Sequence, residues 1–397
     1  MRGRRIVLGV SGGIAAYKSA YLARLLLEEG AEVRVVMTPS AEKFIGSQTL
    51  AGITGAPVVD RLFGGHEVSP HTTLGQWADL IVVAPATAHT LARLAGGVSG
   101  DALIATVLAS EAPLVIAPAM HTEMWEQPTT HENIETLRRQ GHSIVGPAEG
   151  ELAGGDTGIG RMVEPEAIVL ACYRSLAENE QDPLFGKAVV VTAGGTREAI
   201  DPVRYVGNRS SGRMGHAIAT EAARRGAVVS LVTASHLPAA GCTVVAVEDA
   251  ASMASATWAA AKDADVAILA AAVADFRPKQ PADTKLRRSD GVPDLVLEPT
   301  ENILAGIVAM APRPFLVGFA AQTGDIEDAY RKATTYGVDL LVANDVSESG
   351  SGFGTPTNQV TLISPDGQSD PWPLMSKREV AARLLDRVAE HFEAMAG

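Results

Sequence analysis

The sequence predicts an α/β fold of two doubly wound domains with mainly parallel sheets, and three observations carry that reading. Short runs of aliphatic and β-branched residues alternate with helical periods along most of the chain. Those runs are continuous rather than alternately apolar and polar, which marks strands covered on both faces, as parallel strands are. The same opening also occurs twice: Arg4-Arg-Ile-Val-Leu-Gly-Val10 runs into Ser11-Gly12-Gly13, and Lys187-Ala-Val-Val-Val-Thr192 runs into Ala193-Gly194-Gly195.

In the first half, the glycine loop leads to a helix that stops at Gly30, then to strands at 31–38, 78–84 and 113–117. A helix is expected near 122–140 and a further strand at Ser143-Ile-Val145. The stretch from Gly150 to Arg161 holds so many glycines that it reads as a mobile flap without a regular element. A helix near 164–177 closes the domain, and the polar connector that begins Glu178-Asn-Glu-Gln-Asp-Pro183 marks the boundary. This gives domains at 1–177 and 187–397 with a linker at 178–186. The second half repeats the grammar with strands at 227–233, 264–270, 315–319, 340–343 and 359–363. Its residues 276–293 read as a polar, basic loop. The chain ends in an amphipathic helix, with Val380, Leu384, Val388 and Phe392 four residues apart on one face. Any α/β chain shows such grammar, so it implies no duplication.

Composition narrows the function. The 397 residues suit two or three domains, and 46% hydrophobic with 20% charged residues is ordinary for a globular protein. A net charge of −13 argues against nucleic acid as the main partner, because phosphate backbones need a basic surface. Small anions remain open, since backbone amides and a few cations hold them. The two cysteines, Cys172 and Cys242, have no metal-ligand spacing and make no disulfide framework, which points to a reducing compartment. The apolar run after the basic N-terminus is too short for a signal peptide, and no stretch approaches the ~18 apolar residues of a membrane span. A soluble, cytoplasmic protein is expected.

The loop Gly9-Val-Ser11-Gly12-Gly13-Ile14 after a strand is either a plain tight turn or a phosphate nest opening a helix. It is a poor nicotinamide fingerprint: the third glycine is missing, and the second strand ends in Met37-Thr38 where an acidic ribose ligand belongs. The hydroxyls of Ser11, Thr38 and Ser40 suit a single phosphate instead, as in the mononucleotide FMN. Ala84-Pro85-Ala-Thr87-Ala88 puts another hydroxyl at a strand's carboxyl end.

With His71, Leu74-Gly-Gln-Trp-Ala-Asp79 and Pro118-Ala-Met-His-Thr-Glu-Met-Trp125, these segments resemble the flavoprotein decarboxylases of cysteine-derived carboxylates, specifically the phosphopantothenoylcysteine decarboxylase family. The resemblance implies a flavodoxin-like domain that binds FMN through the glycine loop, Thr38, Ser40, Pro85, Thr87, Ser99 and Met120. It also implies His71 as the catalytic base. The chain departs from the family twice. His121 stands where the family has asparagine, and Gly154, beside Gly155 and Asp156 in the flap, stands where it has the cysteine that donates the last proton. A solvent water or a protonated His121 is left to supply that proton.

In the second half, the polar stretch Thr192-Ala-Gly-Gly-Thr-Arg197 and Asp201 to Gly215 is too long for a simple turn, and Ser210 or Ser211 is expected to cap a helix there. Its free amides, with Arg209 and Arg213, would hold a phosphate. Together with Ala271-Ala-Val-Ala-Asp275, Gly318-Phe-Ala-Ala321 and Val342-Ala-Asn-Asp-Val346, this resembles the phosphopantothenate–cysteine ligase domain of bacterial fused enzymes. The resemblance implies a Rossmann-like domain that activates 4′-phosphopantothenate with CTP as an acyl-cytidylate, which the amine of cysteine then attacks. It implies phosphopantothenate contacts from Arg204, Asn208, Ser210, Ser211, Gly212 and Arg213, with Asn208 serving the second step. It implies CTP contacts from Ala271, Asp275, Lys285, Asn302, Ile303, Leu304, Phe319 and Lys332, with Lys285 on the triphosphate. Developing charge on phosphoryl oxygens calls for Mg2+ or Mn2+, with Asp275 the candidate ligand. Tyr336 and Gln322 replace the usual lysine and glutamate. The family further implies a homo-oligomer, a dodecamer if trimer contacts in one half combine with dimer contacts in the other. The two competing readings are a ligase fused to a non-decarboxylating regulatory flavoprotein and a nicotinamide oxidoreductase, the latter disfavoured by Thr38.

Overall fold

The computed structural model describes residues 1, 3–63, 68–177, 182–288, 291–322, 326–345 and 354–396; the side chains of 177, 322, 326–328, 332, 345, 395 and 396 lie outside that description. The chain divides into two compact units, Met1–Gln181 and Asp182–Gly397.

The first unit is built on five strands: β1 (Arg5–Val10), β2 (Glu32–Met37), β3 (Leu80–Ala86), β4 (Leu114–Pro118) and β5 (Ser143–Ile144). All neighbours run parallel, in the order β2–β1–β3–β4–β5. That is the flavodoxin-like order, whose switch point lies between β1 and β3. Helices cover both faces, which is why the strands read as unbroken apolar runs. On one side α1 (Tyr17–Glu28) and α8 (Pro165–Ala177) bury Leu22, Leu26, Ile168 and Cys172. On the other, α3 (Pro70–Trp77), α4 (Ala88–Gly96), α5 (Ala102–Leu108) and α7 (Pro128–Arg139) bury Leu74, Leu91, Leu103 and Leu137. Each such leucine contributes roughly 1.5–3 kcal/mol. A short α2 (Ser47–Thr54) follows β2, and α6 (Thr122–Trp125) precedes α7. The single helix expected near 122–140 is therefore two, because Pro128 starts α7 afresh at a position where its missing N–H costs nothing.

The glycine-rich flap is also more ordered than its composition suggests. Residues Ala148–Glu151 (β6) and Thr157–Arg161 (β7) form an antiparallel hairpin, closed by Leu152 N–H to Asp156 O (2.7 Å) and Gly155 N–H to Leu152 O (2.9 Å). Gly155 takes the left-handed conformation that the turn needs (φ +90°), and a Cβ at Gly158 would fall on Thr122 of α6. The glycines here permit a tight turn and close docking, so they favour the hairpin where we expected them to oppose it.

In the second unit the sheet has eight strands, in the order β12 (Cys242–Ala246), β11 (Val228–Thr233), β8 (Ala188–Ala193), β13 (Val266–Leu269), β16 (Phe315–Gln322), β17 (Leu340–Asp345), β19 (Val360–Ile363), β20 (Ser369–Pro371). It is parallel as far as β17 and antiparallel beyond, so its first six strands follow the Rossmann order 3-2-1-4-5-6. Two small hairpins rise at the carboxyl ends: β9 (Arg197–Ala199) with β10 (Tyr205–Gly207), and β14 (Phe276–Pro278) with β15 (Leu297–Pro299). The second of these occupies part of what reads in sequence as plain loop. A third pair joins β18 (Thr357–Asn358) to β21 (Met375–Ser376). The helices are α9 (Arg213–Arg224), α10 (Ala250–Ala261), α11 (Ile303–Val308), α12 (Ile326–Thr335) and α13 (Lys377–Ala396). On α13, Val380, Leu384 and Val388 are fully buried and Phe392 partly so.

Residues 178–181 of the expected linker lie outside the described residues, and 182–186 fold onto the second unit. Leu184 is fully buried, and Gly186 N–H donates to Gly226 O (3.1 Å). Among the described residues no helix is long and apolar enough to cross a membrane.

Gly9 lies mid-strand, and a Cβ there would fall on Leu103 of α5. It lets helix and sheet meet. Gly9→Val should therefore lower the stability of the first unit by about 1–3 kcal/mol, the usual cost of overpacking. Calorimetry of the full chain, following the transition of that unit, measures it.

Candidate functional site

At the carboxyl ends of β1 and β3 a cavity of about 870 Å³ opens, at the place where doubly wound sheets bind ligands. The first hydrogen bond of the turn after β1 runs from Ala16 N–H to Gly13 O (2.9 Å), so the N–H groups of Gly13, Ile14 and Ala15 stand at a helix start with no earlier carbonyl to bond. A Cβ at Gly12 would fall on Ser40, so the loop closes over the end of β2 only because Gly12 lacks one. Thr38 and Ser40 hydroxyls are 3.1 Å apart.

Ser11 is committed within the chain. Its hydroxyl donates to Pro85 O (2.8 Å) and accepts from Thr87 N–H (3.1 Å), and it is buried. It sets the loop's shape, and Pro85 takes part through that carbonyl. Thr87 caps α4 and lines the cavity with Gly12, Gly13, Ile14, Ser40 and Met120. Ser99 is exposed and outside the lining. His71, on α3, is half-buried, does not line this cavity, and has a buried Nδ1 without a hydrogen-bond partner among the described residues.

The hairpin of the flap forms the far wall. Met120 N–H donates to Gly160 O (3.0 Å), which ties β7 to the end of β4. His121 begins α6; its Nδ1 lies 2.7 Å from Glu123 Oε2 and its Nε2 lies 3.8 Å from Asp156 Oδ2. The imidazole contact holds the Glu123 carboxyl below its ordinary value. A Cβ at Gly154 would sit 3.2 Å from His121 Nε2. The two departures from the family pattern are thus neighbours in space.

Sequence reasoning missed Lys18, because a lysine at a helix start reads as solvated. It is buried, with Nζ donating to Met162 O (3.0 Å) and Glu164 Oε1 (2.9 Å). Arg161 reaches the same carboxylate (2.7 Å). The Lys18 hydrogen bond, with Arg161 adding to it, holds Glu164 below the ordinary carboxylate range. Cys172 is fully buried, and burial pushes its thiol well up, so it is an inert core residue.

The second unit carries two adjoining cavities at the carboxyl ends of its sheet. One, of about 630 Å³, is lined by Asn208, Arg209, Ser210, Ser211, His236 and Arg197. Asn208 Nδ2 donates to Val273 O (2.9 Å), which orients the amide beside the Ala271–Asp275 run. Neither serine caps α9. The N-cap is Gly212 (φ +78°), reached by a left-handed turn, while the Ser210 hydroxyl accepts from Gly212 N–H (3.4 Å) and Ser211 O accepts from Ser235 (3.1 Å). Arg213 donates to Gly354 O (3.0 Å).

The other cavity, of about 540 Å³, lies over the Asp201–Arg204 turn. The buried Asp201 carboxylate accepts from the N–H groups of Val203 (2.7 Å), Arg204 (2.8 Å) and Leu286 (3.2 Å). Burial pushes this carboxyl up, but the three amides and Arg204 together bring it below its usual value. Arg204 in turn donates to Leu286 O (2.8 Å). The basic loop is therefore gripped on both sides of Leu286, leaving Lys285 exposed at its edge. Ala271 N–H donates to Thr192 (3.1 Å), and Asp275 is exposed. Asn302 caps α11 through Ala305 N–H (3.0 Å); the side chains of Ile303 and Leu304 join the core, and Phe319 is half-buried on β16. The side chains of Gln322 and Lys332 lie outside the description. Tyr336 is exposed just after α12.

The family described as Flavoprotein matches residues 1–176, and the DNA/pantothenate metabolism flavoprotein C-terminal domain matches 184–392. A coenzyme A biosynthesis bifunctional protein CoaBC of Vibrio vulnificus is 45% identical over 396 residues, 98% of each chain. The chain belongs to the CoaBC family. CoaBC proteins of Mycobacterium bovis and Bacillus subtilis are 44% and 42% identical over 97% and 98% of this chain, and over 96% and 97% of their own. Among solved structures, the C-terminal domain of a CoaBC protein is 36% identical over 54% of this chain and all of its own (TM-score 0.46). A PPC decarboxylase mutant complexed with pantothenoylaminoethenethiol is 33% identical over 45% and 100% (TM-score 0.40).

The Lys18–Glu164 pair fastens the end of the hairpin to the CoaBC-type glycine-loop helix. A carboxyl with a depressed folded pKa adds stability above its unfolded value, near 4.5, and that stability is lost as pH falls through the folded value. Lys18→Met should therefore lower the melting temperature of the first unit by several degrees at pH 7 and by much less near pH 3. Thermal melts of both proteins at the two pH values test this.

Proposed function

We infer that this chain performs two reactions of coenzyme A synthesis: CTP-dependent joining of 4′-phosphopantothenate to cysteine, and FMN-dependent decarboxylation of the resulting phosphopantothenoylcysteine to 4′-phosphopantetheine. It is a bifunctional enzyme, a carboxy-lyase and a carbon–nitrogen ligase. The observation that carries the reading is the full-length likeness to CoaBC proteins, joined to a phosphate-type cradle in one unit and, in the other, a basic loop anchored to residues that line a polar cavity.

In the first unit we assign FMN to the 870 Å³ cavity, with its phosphate on the amides of Gly13, Ile14 and Ala15 and the hydroxyls of Ser40 and Thr87. The cradle that a Cβ at Gly12 would fill fits that group. FMN held there would supply reversible two-electron chemistry at the thiol-bearing carbon. The protein's part is to close the hairpin over the substrate and manage protons. His71 is our candidate base. Because it lies away from the cavity of its own chain, it serves through a contact with a neighbouring copy, which makes a homo-oligomer part of the reading.

In the second unit we assign Lys285 to the triphosphate of CTP, where a fixed positive charge offsets charge developing at the α-phosphate. Arg204 and Asp201 hold its loop in place. Asn208, with its amide fixed on Val273 O, meets the acyl group in the second step, and Arg209, Ser210 and Ser211 line the space for the phosphate of phosphopantothenate. Among the described residues no three metal-ligating side chains converge, so Mg2+ or Mn2+ would be held mainly by the nucleotide's phosphates, with Asp275 as the protein ligand. The cytoplasm is the compartment where these substrates and a free-thiol protein fit together.

Incubation with phosphopantothenate, cysteine and CTP, followed by product analysis, tests the whole reading; absence of both the amide and CMP would defeat the ligase half. Gly12→Val should expel the flavin, because the added side chain pushes Ser40 out of the cradle. A variant that keeps one FMN per chain, counted by absorbance, would contradict the assignment. Lys285→Gln should slow acyl-cytidylate formation about a hundredfold. Asn208→Asp should let the cytidylate form and stall amide formation, so trapping experiments on the two variants should show blocks at different steps.

A further inference from the structure

We infer that His121 is the general acid of the first unit, delivering the proton that the substrate carbon takes after carbon dioxide leaves. The inference rests on the decarboxylase reading above.

Loss of carbon dioxide leaves an electron pair on the carbon that carried it, conjugated toward the sulfur as an enethiolate. That carbon must gain a proton before the neighbouring carbon can be restored to the thiol level by the two electrons that a bound flavin would hold. The acid has to line the cavity, be held in place and titrate near neutral pH. Besides the hydroxyls of Ser40 and Thr87, six titratable side chains line the cavity: Tyr17, Lys18, His89, His121, Glu151 and Arg161. Lys18 and Arg161 are spent on Glu164, and an arginine or tyrosine gives up its proton far above pH 7. Glu151 is exposed and its carboxylate has no partner among the described residues that would hold it in place. His89 is exposed and makes no hydrogen bond among the described residues. His121 alone of the six is both anchored and of the right chemistry.

Its anchoring is specific. Glu123 at 2.7 Å holds Nδ1–H, which turns Nε2 toward the tip of the hairpin, with the Asp156 carboxylate 3.8 Å away. A carboxylate oxygen thus stands beside each ring nitrogen. At the hairpin tip Gly154 has no side chain, and the position a Cβ would take is 3.2 Å from Nε2. The space above that bare turn is where His121 meets substrate. In the step itself, a carbon–hydrogen bond forms as the Nε2–H bond breaks; the neutral imidazole is then reprotonated by water, and no electrons are gained or lost by the protein.

The test uses the full-length, flavin-loaded protein with phosphopantothenoylcysteine in a single turnover. In His121→Asn and His121→Gln, carbon dioxide should still appear, while the saturated thiol product falls at least a hundredfold and the unsaturated thiol accumulates over reduced flavin. Saturated thiol at the wild-type rate in either variant overturns the inference, as does an equal loss of carbon dioxide and thiol. Absence of carbon dioxide from the wild type would instead defeat the decarboxylase reading. A second measurement needs no turnover. In Gly154→Cys the introduced thiol should lie against Nε2 and show thiolate absorbance at neutral pH, and adding His121→Asn should restore the ordinary thiol range of about 8–9. Identical titration in the two backgrounds would show that His121 does not address that position.

Discussion

The buried hydroxyl of Ser11 holds the first unit's site together. By donating to Pro85 O and accepting from Thr87 N–H, it locks the loop after β1 to the loop after β3, across the switch point of the sheet. Two strand ends that would otherwise splay are fixed at one spacing. That spacing sets both the start of the α1 turn, with its free amides, and the start of α4, which Thr87 caps. A hydroxyl serves where a longer side chain would fill the space that the ligand needs. Burying it costs little because both its hydrogen-bonding roles are satisfied.

The second unit solves the same problem with the same chemistry. Thr192 at the end of β8 accepts from Ala271 N–H, and Thr196 further along the loop accepts from Ala274 N–H. The chain beyond β13 is thereby held beside the loop beyond β8, and Asn208 adds its own bond to Val273 O between those two points. Parallel strands leave their carboxyl ends without a partner strand to continue into. In both units a hydroxyl from the first strand's loop supplies the missing registration, and the site forms on what it registers.

Most of the architecture was legible because it follows from burial. Strands covered on both faces must be apolar throughout, so β1, β3, β8 and β13 announce themselves. The misreadings come from residues whose meaning depends on a neighbour far along the chain. Gly9 looks like part of a nucleotide loop, and nothing near it in sequence shows that it also makes room for Leu103. The serines at 210 and 211 look like caps, but Gly212 can enter the left-handed region and leaves them a turn too early. The flap glycines look like disorder until Thr122 and Met120 are seen to need their absent side chains. Lys18 looked solvated because nothing local reveals that Glu164 waits 146 residues away. For the candidate sites, the loops were readable from their glycines and hydroxyls. The anchoring of the basic loop by Asp201 was not, since it joins positions 85 residues apart.

The charge distribution explains how so acidic a chain can handle phosphorylated substrates. With a net charge of −13, the protein has no broad positive field to attract polyanions. Several cations near the sites are neutralised in place: Lys18 and Arg161 share Glu164, and Arg204 is paired with Asp201 and a carbonyl. These residues shape walls and loops, and the surplus charge left to meet a ligand is small. On the reading proposed above, anion binding falls mainly to groups that carry partial charge, namely helix-start amides and hydroxyls, with Arg209 and the exposed Lys285 as local full charges. Such a site discriminates by geometry more than by field. On that reading it suits a single phosphate that fits the cradle better than an extended row of phosphates.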